Sequence, residues 1–405
     1  MHRWFEHKRY LPLAESETEV LSPWGSMLPP FSFSPAVPGV LDLLDELYAE
    51  LLPNFTSRMF NVGCDETFDL GMGRTKKLVE QRGKGRVYLD FVLEIYRRVR
   101  ASDHTMQFWG DIIDQYPDLV PDIPKDTIVL EWGYEADHDF PGKAELFEES
   151  GVPFYVCPGT SSWTSIAGRT DNCIGNICNA AENGLKHGAI GLLNTDWGDQ
   201  GHWQTFPISI LGFAYGAALG WAYAPNVDLD LPAALDTHAF RDKAGVMGQI
   251  AYDLGNVYQH PGVLLHNGSL LFWIYQAPLE DLVRQAVDAS SREALENRET
   301  LRANLHATIT TVEAVIRRID QAQMCVPDAA LIKREFSHAA QMLRHGARRA
   351  LFELGDPGMS RSGLAAELDA IEVGQRTLWL ARNRPGGLDD SAARFIEARR
   401  LYEEG

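Results

Sequence analysis

The sequence has no run approaching the roughly 18 consecutive apolar residues that a membrane helix needs, so no membrane span is expected. Cysteine is scarce. Five residues (Cys64, Cys157, Cys173, Cys178 and Cys325) make an odd set without a CxxC pair, which excludes a disulfide framework and a zinc ribbon. Free buried thiols fit a reducing compartment, and a cytoplasmic location is expected. Among the twelve histidines, His138, His187, His202 and His238 show no HExxH or other paired spacing, so no metal and no cofactor is expected. Gly71-x-Gly73 with Lys76, and Gly83-Lys84-Gly85, lack the spacing of a phosphate-binding loop. Positive charge is also short, with 37 Lys and Arg against 56 Asp and Glu over 405 residues, a net charge of −19. Nucleic acid, whose phosphates such a surface repels, is thereby disfavoured as a partner.

The charge is unevenly spread. Residues 1–240 hold 34 of the 56 acidic residues and eight of the ten tryptophans. An acidic, Trp-rich half suits a neutral polyhydroxylated ligand, because indole faces stack on it and carboxylates accept its hydroxyl protons.

Between residues 54 and 224, short apolar, β-branched or aromatic runs alternate with helical patterns. Strands are expected at Arg58–Gly63, Thr105–Trp109, Thr127–Trp132, Val152–Cys157 and Ala189–Thr195. Helices are expected over Val87–Arg100, 141–150, 172–187 and 205–224, and before the first strand over Val40–Leu51, ended by Pro53. Such alternation implies a parallel sheet, open or closed into a barrel. No strand pattern precedes Arg58, and none is clear in residues 270–405. There a stripe of Leu301, Leu305, Ile309, Val312, Ile316 and Ile319 reads as a helix. Breaks at Pro327, Gly355–Gly358 and Pro385–Gly387 imply three or four antiparallel helices in a bundle. This α-helical C-terminal domain (residues 236–405) is expected to pack on residues 1–235 or to pair two copies into a homodimer.

All five expected strands end in polar or aromatic residues: Asp65-Glu66, Trp109-Gly110-Asp111, Glu131-Trp132-Gly133-Tyr134-Glu135, the Pro158–Trp163 segment, and Asp196-Trp197-Gly198-Asp199. Ligands bind at the carboxyl ends of strands in parallel α/β folds. Adjacent residues on a strand point to opposite faces, so Asp65 and Glu66 do not readily bracket one glycosidic bond in the two-carboxylate manner. One could serve as general acid while the other holds a different part of a substrate that brings its own nucleophile.

The segment Phe60–Gly71, with Asp65-Glu66 at its centre, resembles the Asp-Glu motif of glycoside hydrolase family 20, the β-N-acetylhexosaminidases. The resemblance runs on through Gln107–Asp111, Leu130-Glu131-Trp132 and Leu193–Asp199, and more loosely through Leu378–Gly387. It implies a (β/α)8 TIM barrel acting on terminal β-linked N-acetylhexosamine (GlcNAc or GalNAc) of an oligosaccharide or glycoconjugate. Glu66 would be the general acid and then base. Asp65 would hold the acetamido N–H while the acetamido oxygen attacks the anomeric carbon. Trp109, Trp132 and Trp197 would wall the sugar and Asp199 would accept from its hydroxyls. Where the family presents a Tyr donor after the strand at 152–157, this sequence aligns Trp163, with Tyr155 and Tyr134 as other donors. Where the family has Trp-x-Glu, it has Trp197-Gly198-Asp199. At about 30 residues per βα unit, the residues before Arg58 are too few for three units. An incomplete barrel, strands four to eight only, is therefore expected, without the family's sugar-gripping Arg near the first strand. Two other readings stand beside this one. The chain could be a non-catalytic sugar-binding remnant, or a Mg²⁺-dependent lyase or isomerase using Asp65, Glu66, Asp111 and Glu131.

Overall fold

The computed structural model describes residues 2–23, 25–283 and 288–403. The chain divides into two compact units. The first holds Met1–Trp132, Asp139–Cys157 and Asn183–Leu193, and the second holds Gly133–His138, Pro158–Glu182 and Asn194–Gly405.

The first unit is built on five parallel strands: β1 (Met59–Asn61), β2 (Thr105–Trp109), β3 (Ile128–Trp132), β4 (Phe154–Cys157) and β5 (Gly191–Leu192). They lie side by side in chain order. Each crossover adds a strand to the same edge. That is the order of a barrel-type sheet, whereas a doubly wound sheet reverses direction at a switch point. The five expected strands are the five that form. The first and last are shorter than expected because the backbone turns early: Asn61 Oδ1 accepts the Gly63 N–H at 2.8 Å, and Gly63 lies at φ +77°. At the far edge, Thr195 leaves the ladder for an isolated bridge with Gly159.

Strand register separates two faces. Phe60, Met106, Phe108, Val129, Phe154 and Val156 share the face that is covered by helices, where Tyr48 of α1 (Gly39–Leu51) meets Phe60 edge-on at 4.9 Å between ring centroids. Val87, Val92, Ile95 and Val99 of α2 (Lys84–Ala101) and Phe140, Ala144 and Phe147 of α3 (Phe140–Ser150) are also buried. The α3 boundaries have local causes. Asp139 caps its start by accepting the Gly142 N–H, and left-handed Gly151 ends it. Between β2 and β3 the connection is not an α-helix but two 3-10 turns, Ile113–Gln115 and Pro117–Asp122, as befits a stretch with Pro117, Pro121 and Pro124. The opposite face carries Met59, Gln107, Trp109, Leu130, Trp132 and Tyr155. It is open toward the strand beginnings, where Met59 is 51% exposed. Ahead of the sheet, a two-residue hairpin (Val20–Leu21 with Met27–Leu28) forms where no strand was expected.

One buried carboxylate organises the loop after β1. Glu15 is fully buried. Its Oε1 accepts from the Thr75 hydroxyl at 2.5 Å and from the N–H groups of Thr75, Gly73 and Gly71 at 2.9, 3.1 and 3.3 Å, while Oε2 accepts from Ser34 at 2.7 Å. Gly73 is required there, since a Cβ on it would lie 1.9 Å from the Glu15 carbonyl oxygen.

In the second unit, the helices α4 (Thr170–Lys186, whose last residues belong to the first unit) and α5 (Phe206–Trp221) precede a helical region. That region consists of α6 (Arg298–Ile319), α7 (Ala329–Glu353), α8 (Arg361–Arg382) and α9 (Leu388–Glu403), each packed on the next. Their breaks fall at the expected Pro and Gly clusters. On α6 the buried stripe is Leu301, Leu305, Thr308, Val312, Val315 and Ile319. Ile309 and Ile316, expected in it, are only half-buried, because the buried positions alternate four and three residues apart along the helix and so fall on Thr308 and Val315 instead. Within this region Arg382 bonds Glu335, which is fully buried, through Nε at 2.9 Å and Nη2 at 2.7 Å, and bonds Asp328 at 2.6 Å.

Replacing Glu15 by Ala leaves four donors without their acceptor, the Gly71 N–H keeping Thr75 Oγ1 at 2.9 Å, and should cost about 2–4 kcal/mol of unfolding free energy, measured by urea denaturation. A loss under about 0.5 kcal/mol would show that the loop after β1 does not hang on Glu15.

Candidate active site

The carboxyl ends of β1, β2 and β3 converge on one carboxylate, Asp111. After the turn at Gly63, Cys64 and Glu66 also take left-handed backbone conformations, with φ of +71° and +50°. Two non-glycine residues in that region within one short loop are a local strain that the surroundings must hold. Three contacts hold it. The Tyr88 hydroxyl of α2 donates to the Cys64 carbonyl at 3.0 Å. The Glu66 N–H donates to Asp111 Oδ2 at 2.9 Å. Asp111 Oδ1 in turn accepts from the Trp132 indole N–H at 3.3 Å.

Burial pushes the Asp111 carboxyl up to about 6, against the lowering effect of those two donors. Burial raises Asp65 as well. The Cys64 thiol is driven up to about 12 by burial and by the negative charges of Asp65 and Asp111, so it is an inert thiol rather than a nucleophile. This first-unit cluster therefore has a half-buried Asp-Glu pair on a strained turn beside one carboxyl, Asp111, whose proton is held more tightly than in water.

The expected residues of the first unit fall into two groups. Asp65 and Glu66 share the β1 turn, and Trp109 and Trp132 lie at the ends of β2 and β3 on the same sheet face. Trp109 is 8% exposed and Trp132 half-buried. Tyr155 shares that face but not that end. It pairs with Leu130, two residues before Trp132, and its hydroxyl reaches Met59 Sδ at 3.7 Å, at the beginning of β1. Glu131 is 1% exposed and lies on the helix-covered face, opposite Trp132. It is thus turned away from Asp111. Among the described residues no three His, Cys, Asp or Glu side chains are arranged to hold a metal ion.

The expected residues of the second unit form their own cluster. The Trp197 indole N–H donates to the Tyr134 hydroxyl at 2.9 Å, and the Tyr134 ring meets Trp163 edge-on at 5.0 Å. Trp163 is 1% exposed, and its indole nitrogen makes no hydrogen bond among the described residues. Asp199 is exposed on a 3-10 turn, Asp199–Gly201, that is followed by left-handed His202.

The loops bearing these residues are stitched by α4. Asn176, fully buried, donates to the carbonyls of Gly133 and Glu135 at 2.9 Å each and accepts from the Gly159 N–H at 3.0 Å. Asn172 donates to the Tyr134 carbonyl at 2.7 Å, and Asn179 to those of Ala136 and His138 at 3.1 and 2.8 Å. Glu135 and Arg169 form a two-pronged ion pair at 2.9 and 3.1 Å. Burial raises the Glu135 carboxyl, but Arg169 outweighs it and holds the group below its ordinary value.

No family model matches the chain. Hexosaminidase D of Bos taurus is 31% identical over 121 residues, which is 27% of this chain and 33% of that protein. The chain thus spans about a third of the curated relative it matches. Among solved structures, a Flavobacterium johnsoniae chitobiase (FjGH20) covers 97% of this chain and 63% of its own at 11% identity, with a TM-score of 0.39. A GH138 enzyme targeting pectin rhamnogalacturonan II covers 91% and 65% at 10% identity, with a TM-score of 0.47.

Asp111 gives a pH test. Because its folded-state pKa lies above its ordinary 3.8, the native state binds that proton more tightly than the unfolded chain does. Its contribution to stability is therefore present at low pH and falls away as pH rises from about 4 to 6, by about 3 kcal/mol in all. Subtracting the stability of Asp111→Asn from that of the wild type at each pH should reveal this decline. A flat difference between pH 4 and 7 would contradict it.

Proposed function

We propose that the protein is a glycosidase that removes terminal β-linked N-acetylhexosamine with help from the substrate's own acetamido group. The observation that carries the reading is the Asp65-Glu66 pair, held on a strained turn at the carboxyl end of β1 and tied through Asp111 to the Trp109 and Trp132 strand ends. The 31% identity to a hexosaminidase over 121 residues supports the same substrate class.

In this reading Glu66 protonates the glycosidic oxygen as the bond to the anomeric carbon breaks. Asp65 accepts the acetamido N–H and aims the acetamido oxygen at that carbon, so the intermediate is a cyclic oxazolinium ion. Glu66, now a carboxylate, takes a proton from the water that opens the ring. Trp109 and Trp132 present apolar surface to the sugar and its acetyl methyl. The chemistry needs no metal in this scheme, and activity that disappears with EDTA would return the Mg²⁺-dependent lyase or isomerase to consideration.

A sugar-binding protein without turnover is the second reading. It is favoured by the open sheet face, where Met59 is 51% and Leu193 38% exposed, since a closed barrel would bury both positions.

Purified protein incubated with p-nitrophenyl N-acetyl-β-glucosaminide should release nitrophenolate. Glu66→Gln should lower turnover by about 10²–10⁴-fold, the usual worth of a general acid–base. Nitrophenolate is a good leaving group that needs little protonation, so Asp65→Asn should retain less activity on this substrate than Glu66→Gln does. Binding of the sugar without release would establish the second reading, and unchanged turnover in Glu66→Gln would remove the acid assignment.

A further inference from the structure

We propose that the second unit carries a separate binding site for a neutral, hydroxyl-rich molecule of monosaccharide size. A cavity of about 200 Å³ lies between the segment after β5 and the last turns of α8, with Asp196 and His202 on one side and Gln375, Trp379 and Arg382 on the other. None of the roles assigned above uses it. Asp196 and Trp197 are adjacent in sequence but serve different neighbours: Trp197 bonds Tyr134, while Asp196 turns to Thr160 and Ser162 and lines the cavity. The site does not depend on the glycosidase reading, because a protein without turnover would carry it equally.

Each polar group at the cavity is fixed from behind. Thr160 and Ser162 both donate to Asp196 Oδ1 at 2.6 Å, and Oδ2 makes no hydrogen bond among the described residues. Gln375 is 2% exposed, and its Oε1 lies 3.1 Å from Nε2 of buried His338, which leaves its amide N–H groups as donors. The Trp379 indole N–H is spent on the Arg384 carbonyl at 2.8 Å, and its ring meets His202 edge-on at 5.8 Å. What Trp379 still offers is apolar ring surface. A carboxylate oxygen, an amide donor and an aromatic wall, all pre-positioned, suit a molecule with hydroxyls on its rim and C–H groups on its face.

Charge selects against an anion. All three nitrogens of Arg382 are engaged by Glu335 and Asp328, so its positive charge is already answered twice. Burial lowers the pKa of His202, partly offset by Asp196, which keeps the imidazole neutral at neutral pH. Asp196, Glu335 and Asp328 thus set three negative charges in and behind the lining against the one positive charge of Arg382, and a phosphate or carboxylate ligand would be repelled. The volume lies below the roughly 300–1,000 Å³ of ordinary small-molecule clefts, so one sugar ring is the scale of the occupant.

The test reads this cavity alone. In a ¹⁵N spectrum of the full chain, the Trp379 indole signal is identified by its disappearance in Trp379→Phe, and is followed while D-glucose or N-acetyl-D-glucosamine is added. At least one of the two should move that signal saturably at concentrations up to ~100 mM, and Asp196→Asn should weaken the apparent affinity ~10-fold or more, the worth of a hydrogen bond to a charged acceptor. If Asp196→Asn does not fold, Asn383→Ala, at an exposed residue lining the same cavity, should weaken it at least ~3-fold. A Trp379 signal that stays still with both sugars overturns the proposal. So does one that moves with the same affinity in the folded variant. Neither outcome bears on turnover at Glu66.

Discussion

The Asp111 carboxylate is the interaction on which the candidate active site of the first unit depends. It sits two residues past Trp109, which ends β2, and its two oxygens hold the backbone of the β1 turn and the indole of the β3 end. The β1 turn cannot hold itself. Gly63, Cys64 and Glu66 all lie at positive φ, a conformation that costs non-glycine residues about 1–3 kcal/mol each when nothing over-determines it. Asp111 accepts a charge-assisted bond there, the stronger kind. It does so in a buried setting that raises its own pKa, so part of the energy that fixes the Asp65-Glu66 pair is supplied by a carboxylate that would be more stable in water.

Much of this was legible in the sequence, because period and punctuation are local signals. The five strands and the breaks between the C-terminal helices follow from runs, Gly and Pro that act within a few residues. What was illegible depends on partners far along the chain. Glu15 reads as one of several acidic residues in a loop, and only the fold brings it to Gly71, Gly73 and Thr75. Asp111 was visible as a strand-end carboxylate, but its two donors come from loops some 45 and 21 residues away. The asparagines of α4 did leave a trace. Asn172, Asn176 and Asn179 fall on one face of a helix, where asparagine is a poor former, and such a row signals side chains needed for loop carbonyls. Tyr155 shows the limit of reading strand periodicity alone: it lies on the same face as Trp132 but points toward the other end of the sheet.

The sheet keeps a feature that closed barrels lack. Its β1 and β5 edges are each paired on one side, and the face opposite the helices is partly open at Met59 and Leu193. The strand ends nonetheless carry tightly arranged polar groups. Packing on the helix-covered face and the Asp111 bonds suffice to order them without closure. Scaffold and candidate site are to that extent separable.

The acetamido group is the most direct probe of the central claim, since in this account it is the nucleophile. Rates of nitrophenolate release should be compared for p-nitrophenyl N-acetyl-β-glucosaminide and p-nitrophenyl β-glucoside, which differ at that group alone. The account predicts release from the first and none measurable from the second. Comparable release from both would contradict it, because a protein that hydrolyses the plain glucoside equally well must supply its own nucleophile.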